Sequence, residues 1–263
     1  MKRATALIQT ARVTDRPATF IAREVAARGL RAAADGAASY TLEDFACDVH
    51  LRHGTIDIPL LFDIMVERSY EPPVPVLESE ALRAGVRVVD LGASIGLASA
   101  FLASLVPISK LVAYEPDPMS LPQLKANLAG CRGVGDWRVV EACAGSGDHE
   151  VDVLLDGRSR FSRIVPGDRS PRSRRLPVVD AFPDLQEADV AKIDIEGGEW
   201  ELLTDPRFRD LPVRALLLEY HRWLCPGPDP RKLAIDALVS AGFVIWEAGE
   251  HIPGFGEVWA WRR

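Results

Sequence analysis

The sequence predicts an α/β fold built on a mostly parallel sheet with helices on both faces, and three observations carry that expectation. A β-branched run (Val86, Val88, Val89) ends in Asp90 and passes through Gly92 and Gly96 into an apolar, helix-like stretch. Glycines let the backbone approach a ligand closely, and a helix start offers unpaired N–H groups, so a buried parallel strand hands a nucleotide-like ligand to a helix in this way. From there onward apolar runs alternate with helical patterns, the rhythm of βαβ units. The last segment, Glu257 to Trp261, alternates and reads as a final strand that can close the sheet in the antiparallel sense.

Residues Ala18 to Ala34 have helical composition, with Phe20, Ile21, Val25, Ala26 and Leu30 near one face. Phe45 to Leu51 is strand-like, Gly54 follows, and Pro59 to Glu67 is again helical. Glu71 to Val76 contains three prolines and reads as an extended connector, because proline fixes φ and lacks a donor. These observations place an N-terminal cap over residues 1–76 and a ligand-binding domain over 77–263. The strand candidates in that domain are Val86–Val89, Leu111–Tyr114, Arg138–Cys143, Val190–Ile195, Ala215–Leu218 and Phe243–Trp246. Helical stretches between them are Leu97–Leu105, Leu121–Leu128, Glu199–Leu203 and Arg231–Ala241. Between Val151 and Val179 the βα rhythm lapses, which marks an insertion.

With 48% hydrophobic and 26% charged residues over 263 positions, the chain has material for a full core. A net charge of -7 argues against a general nucleic-acid binder. The four cysteines are scattered, without a CxxC pair, and read as reduced thiols of a cytoplasmic protein. The N-terminus has too short an apolar run for a signal peptide, and Pro107 and Lys110 interrupt the longest apolar region, so no membrane partner is expected.

The turn Asp90 to Gly96 has the spacing D-x-G-x-x-x-G. A dinucleotide turn would carry glycine where Ser94 and Leu97 stand. Glu115 ends the next strand, where a carboxylate can accept both hydroxyls of a ribose. The plainer readings are a helix cap for Asp90 and a solvated strand end for Glu115.

Asp90–Gly96, Tyr114-Glu115-Pro116 and the string Lys192 to Glu199 (Lys-Ile-Asp-Ile-Glu-Gly-Gly-Glu) together resemble the FkbM family of S-adenosylmethionine-dependent methyltransferases. Arg52 to Asp57 and Glu67 to Tyr70 resemble that family's N-terminal segment more loosely, and Ser94 stands where the family usually carries asparagine. The resemblance implies a Rossmann-like class I methyltransferase fold. It further implies that Gly92, Ala93, Ser94 and Gly96 line the methionine and ribose portion of the cofactor. Asp90 would lie near its amino group, Glu115 and Pro116 at the ribose, and Ala142, Cys143 and Ala144 beside the adenine. Packing alone explains Cys143 equally well.

Methyl transfer is an in-line displacement that needs an aligned nucleophile and a group to take its proton. Asp194, Glu196 and Glu199 supply carboxylates, and Glu219 and His221 add polar groups at the next strand end. Either Asp194 or His221 serves as general base, or Asp194 and Glu219 hold a divalent metal such as Mg²⁺. The plainer readings are a helix cap for Glu196, a solvated first-turn residue for Glu199 and a structural hydrogen-bonding group for His221.

The insertion near 157–175 carries Arg158, Arg160, Arg163, Arg169, Arg172, Arg174 and Arg175 against Asp168. Such a run is either a solvated loop or a contact for an anionic or carrier-bound acceptor. The leading expectation is O-methylation of a small molecule such as a sugar or secondary metabolite. The rivals are a nicotinamide-dependent oxidoreductase and a non-catalytic nucleoside-binding module.

Overall fold

The computed structural model describes residues 2–30, 37–78, 85–155, 163–168, 170–252 and 254–262. Helices Lys2–Arg12 and Pro17–Leu30 lead into a hairpin of β1 (Ala37–Leu42) and β2 (Cys47–Arg52), then a helix at Asp57–Leu61 that widens into a π-turn at Phe62–Val66. The expected helix over Ala18 to Ala34 is found as far as Leu30; residues 31–34 lie outside the described residues. The proline-rich connector is not extended throughout. Val74–Leu77 forms one helical turn, because proline in the first turn forfeits only an N–H that has no helical partner there.

The main sheet uses β3 (Val86–Leu91), β4 (Ile108–Tyr114) and β5 (Val134–Val140). A second sheet is formed by β6 (Cys143–Gly145), β7 (His149–Leu154), β8 (Arg163–Ile164) and β9 (Ser173–Asp180). The chain then returns to the main sheet with β10 (Val190–Ile193), β11 (Ala215–His221), β12 (Val244–Ile252) and β13 (Phe255–Trp261). The seven-stranded order is β12-β13-β11-β10-β3-β4-β5, parallel except for β13, which runs antiparallel to both its neighbours. This is the mostly parallel α/β arrangement expected above, and its switch point lies between β3 and β10.

One expected strand, Arg138–Cys143, is two. β5 stops at Val140, and Cys143–Gly145 joins the second sheet, parallel to β9 and in the order β6-β9-β7-β8. The described residues of the insertion therefore belong to a small β-sheet. Its Arg158, Arg160 and Arg169 lie outside the described residues.

One apolar core fills a face of the main sheet from Leu91, Ile193 and Leu218 to Phe208 and Leu238. A second joins the N-terminal segment to the helix Leu97–Leu105, through Phe20, Tyr40, Leu51 and Leu61 packed with Ile95 and Phe101. Around it, Tyr40 Oη lies 2.8 Å from His53 Nε2, and His53 Nδ1 lies 3.1 Å from Glu24 Oε2, so the buried polar groups satisfy one another. Asn127 clamps the same junction, accepting from His50 N at 2.6 Å and donating to Ile95 O at 2.7 Å.

The expectation of four reduced thiols does not hold. Cys47 and Cys131 face each other across an antiparallel bridge with Cα atoms 4.2 Å apart and form a disulfide, while Cys143 and Cys225 are free. Their separation of 84 residues hid the pairing. Among the described residues, no helix is long and apolar enough to cross a membrane.

Candidate functional site

The site begins at the turn after β3. Gly92, Ser94 and Gly96 all have positive φ (80°, 50° and 82°). A Cβ on Gly92 would lie 1.8 Å from the Asp194 carbonyl oxygen, so only glycine lets this turn lie against the end of β10. The Gly92 and Ala93 N–H groups both donate to Tyr114 O (3.0 and 2.9 Å), which folds the turn over the end of β4. Glu115 secures it from the other side: Oε2 accepts from Ser94 N at 2.7 Å, and Oε1 from Asp117 N at 2.8 Å. Burial pushes its pKa up to about 7, against the lowering effect of those two N–H groups.

A cavity of about 440 Å³ opens beside this turn, a volume suited to a small-molecule or cofactor site. Of the residues that the sequence assigned to the cofactor, Gly92, Ser94, Glu115, Pro116, Ala142, Cys143 and Ala144 line it. Asp90, Ala93 and Gly96 do not. Asp90 is buried behind the wall, accepts from Ser99 Oγ at 2.7 Å and stands 3.5 Å from Lys192 Nζ, while Gly96 turns the chain into its helix against Leu124. Val153 and Ile164 of the second sheet complete one side, and Ile164 N donates to Glu196 O at 3.3 Å. Arg163 adjoins Ile164; Arg174 donates to the Pro171 and Ser173 carbonyls, and Arg175 pairs with exposed Glu150.

Part of the same cavity's lining is acidic. Asp194, Glu196, Glu219 and Glu257 line it with Asp63 and Glu67 of the N-terminal segment. Burial and mutual repulsion push Glu196 up to about 9 and Glu257 up to about 8, and raise Glu219 as well. Tyr70 reaches in from the N-terminal segment, donating to Glu219 Oε2 at 3.0 Å and approaching Asp194 Oδ2 at 3.4 Å. Lys192 supplies a cation to Asp194: its Nζ lies 3.2 Å from Asp194 Oδ2 and donates to Gly92 O at 3.0 Å. Burial alone would lower its pKa, but Asp194, Asp90 and Glu219 raise it above the usual lysine range.

His221 is fully buried and is not on the cavity wall. Its Nδ1 lies 3.2 Å from Glu199 Oε1, its Nε2 lies 3.4 Å from both Glu196 Oε2 and Glu219 Oε1, and Trp223 stacks on the ring at 4.6 Å. Burial opposes its charge, yet the carboxylates raise its pKa to about 11. An imidazolium cannot accept a proton, so the expected general-base role does not fit His221 in this state. Glu199 likewise is no solvated helix-start residue: it is buried and accepts from the Gly197 and His221 N–H groups, both at 2.7 Å.

Sequence reasoning missed Tyr70, Glu257 and Arg52 as site residues. Arg52 lines the cavity, grips buried Asp57 with Nε and Nη2 at 2.9 and 2.8 Å, and donates to Met119 O at 2.6 Å. The local signal for Tyr70 and Arg52 was their place in the N-terminal segments quoted above. Glu257 sits in an alternating strand and carried none.

No family model matches the chain. A curated protein of Pseudomonas aeruginosa, AMB antimetabolite synthetase AmbE, is 26% identical in an alignment 200 residues long that covers 60% of this chain and 9% of that protein's length. The chain thus corresponds to a small fraction of this relative. Among solved structures, methyltransferase FkbM from Methylobacillus flagellatus KT is 16% identical with a TM-score of 0.47, covering 99% of this chain and 59% of that one. Precorrin-6y C5,15-methyltransferase from Geobacter metallireducens GS-15 is 16% identical with a TM-score of 0.42, covering 72% and 87%. TYW2 of M. jannaschii in complex with AdoMet is 12% identical with a TM-score of 0.42, covering 86% and 84%.

Proposed function

We propose that the protein is an S-adenosylmethionine-dependent methyltransferase that acts on a hydroxyl of a small molecule. One observation carries this reading: a single cavity is lined by the glycine turn and Glu115 together with Asp194 and Glu219. The lining fits the cofactor. Glu115 offers a carboxylate for ribose hydroxyls, Ala142, Cys143 and Ala144 offer a low wall for a flat ring, and Ser94 offers a further polar group. When bound, the cofactor supplies an electrophilic methyl group on a sulfonium.

The chain's own residues then align the acceptor and take its proton. Asp194 is the group assigned to accept that proton, held in place by Lys192 and approached by the Tyr70 hydroxyl. Lys192 is already paired with Asp194 and carboxyls occupy the rest of this wall, so a neutral acceptor suits it better than a phosphorylated one. An anionic or carrier-bound group is accommodated only outside the cavity, towards the arginines of the second sheet.

Calorimetry with S-adenosylhomocysteine and NADH tests the reading. Binding of the first and not the second is expected; the reverse would establish the oxidoreductase alternative. Formation of S-adenosylhomocysteine on incubation with hydroxylated acceptors separates an enzyme from a binding module.

A further inference from the structure

Asp194, Glu219 and His221 each present a donor atom to one point at the ends of the adjacent parallel strands β10 and β11, and these atoms lie within 4.8 Å of one another. An acidic cluster alone would say little. The second observation is His221, with 0% exposure and an Nε2 that has no hydrogen-bond partner, facing the Glu219 and Glu196 carboxylates at 3.4 Å. Its other nitrogen is fixed by Glu199, itself 0% exposed and anchored by two backbone N–H groups. A carboxylate behind a histidine that aims its free nitrogen at further carboxylates is the arrangement that orients metal-bound imidazole. Glu196 Oε2 is a further buried atom without a hydrogen-bond partner, 3.4 Å from the same nitrogen.

We infer that Asp194 and Glu219 of the cavity wall and the Nε2 of His221 behind it form a binding site for one divalent transition-metal cation. Nε2 binds the metal through its lone pair, so the imidazole is neutral when the site is filled and any proton on Nε2 leaves to solvent. Lys192 already neutralises part of Asp194, so a dication meets the charge that remains. An imidazole among carboxylates suits Mn²⁺, Fe²⁺ or Zn²⁺ better than Mg²⁺, so the magnesium expected from the two carboxylates alone is replaced by a softer ion. The site rests on the proposed function only for its role, which is to lower the pKa of an acceptor hydroxyl; the binding itself does not.

The test titrates Mn²⁺ into the full chain, following the loss of the free-ion EPR signal, with S-adenosylhomocysteine titrated separately by calorimetry. One Mn²⁺ per chain is expected, with nitrogen coupling from a histidine in its electron spin-echo spectrum. Asp194→Asn and Glu219→Gln, verified as folded by circular dichroism, should each weaken binding about tenfold or more. The control Glu141→Gln, on the surface, should not. No Mn²⁺ bound at millimolar concentration, no nitrogen coupling, or binding unchanged in both variants overturns the site. S-adenosylhomocysteine binding without Mn²⁺ binding sinks this inference alone, whereas Mn²⁺ binding without the nucleoside sinks the methyltransferase reading alone.

Discussion

Lys192 Nζ donates to the carbonyl oxygen of Gly92 at 3.0 Å while standing 3.2 Å from Asp194 Oδ2, so one buried ammonium joins the turn after β3 to the carboxylate after β10. Lys192→Met keeps the packing volume and removes that link, leaving Asp90 and Asp194 without their shared cation. Removing one partner of a buried ion pair costs about 3–5 kcal/mol. The melting temperature should fall by roughly 10 °C. S-adenosylhomocysteine binding should weaken with it. A variant that melts and binds like the parent would show that Lys192 does not hold the turn.

Gly92 makes a sharper test of the same contact. Alanine there must adopt φ near 80° and place its Cβ 1.8 Å from the Asp194 carbonyl oxygen, so backbone has to move. Strained φ and overpacking together cost about 3 kcal/mol or more. Gly147→Ala is the matched control, since its Cβ would meet nothing within 4 Å. Chemical denaturation should separate the two variants, with nucleoside binding lost only in Gly92→Ala.

On the proposed function, Glu115 should give nucleoside binding a pH dependence. Its pKa of about 7 lies above the ordinary 4.5 because burial penalises the charged form. In the free chain this group's contribution to stability is present below about 4.5 and lost as pH rises through about 7. A ribose reverses the preference, because its hydroxyls donate to the carboxylate. Affinity for S-adenosylhomocysteine should therefore be about tenfold weaker at pH 6 than at pH 8, by single-proton linkage. Glu115→Gln should bind more weakly at pH 8 and show a flatter profile; a parental slope in that variant would assign the titration elsewhere.

The disulfide is testable without reference to function. Cys47 and Cys131 close a loop with a sequence separation of 84, and the chain-entropy model gives such a crosslink about 4.5 kcal/mol at 25 °C. Reduction should lower the melting temperature, and Cys131→Ser should reproduce the loss without reductant. Thiol titration of the unfolded, unreduced chain should count Cys143 and Cys225 only; four reactive thiols would rule the bond out.

What was legible in the sequence was local. Val86 to Gly96 announced itself because a β-branched run, an acid and two glycines are contiguous, and the turn they make depends on few other residues. Asp194 was legible for the same reason, as an acid closing an apolar strand. The division of Arg138–Cys143 was not, since a lone Glu141 interrupts the run before Ala142 and Cys143 and only pairing of Cys143–Gly145 with β9 assigns them to another sheet. Nor was the charge on His221, because the carboxylates that impose it come from positions 196, 199 and 219 and converge only after β10 and β11 pair. Asp90 has the right residue type in the right motif, yet it serves the fold behind the cavity through Ser99 and Lys192.

Tyr70 decides whether the N-terminal segment takes part in the chemistry or only covers it. Its hydroxyl crosses 149 residues of sequence to donate to Glu219 Oε2 at 3.0 Å, and it also faces Asp194. Phenylalanine preserves the ring and its packing but leaves a buried carboxylate oxygen short of a donor, a loss of about 1–3 kcal/mol. Were Tyr70 merely structural, Tyr70→Phe would lower stability and leave turnover of the folded protein unchanged. If it orients the carboxylates that receive the acceptor's proton, kcat should fall about tenfold for each 1.4 kcal/mol lost in the transition state. The affinity for S-adenosylhomocysteine should stay within about twofold, because the Tyr70 hydroxyl bonds Glu219 and faces Asp194 rather than Glu115 or the glycine turn. A fall in nucleoside affinity with kcat intact would instead place Tyr70 among the groups that shape the cofactor end.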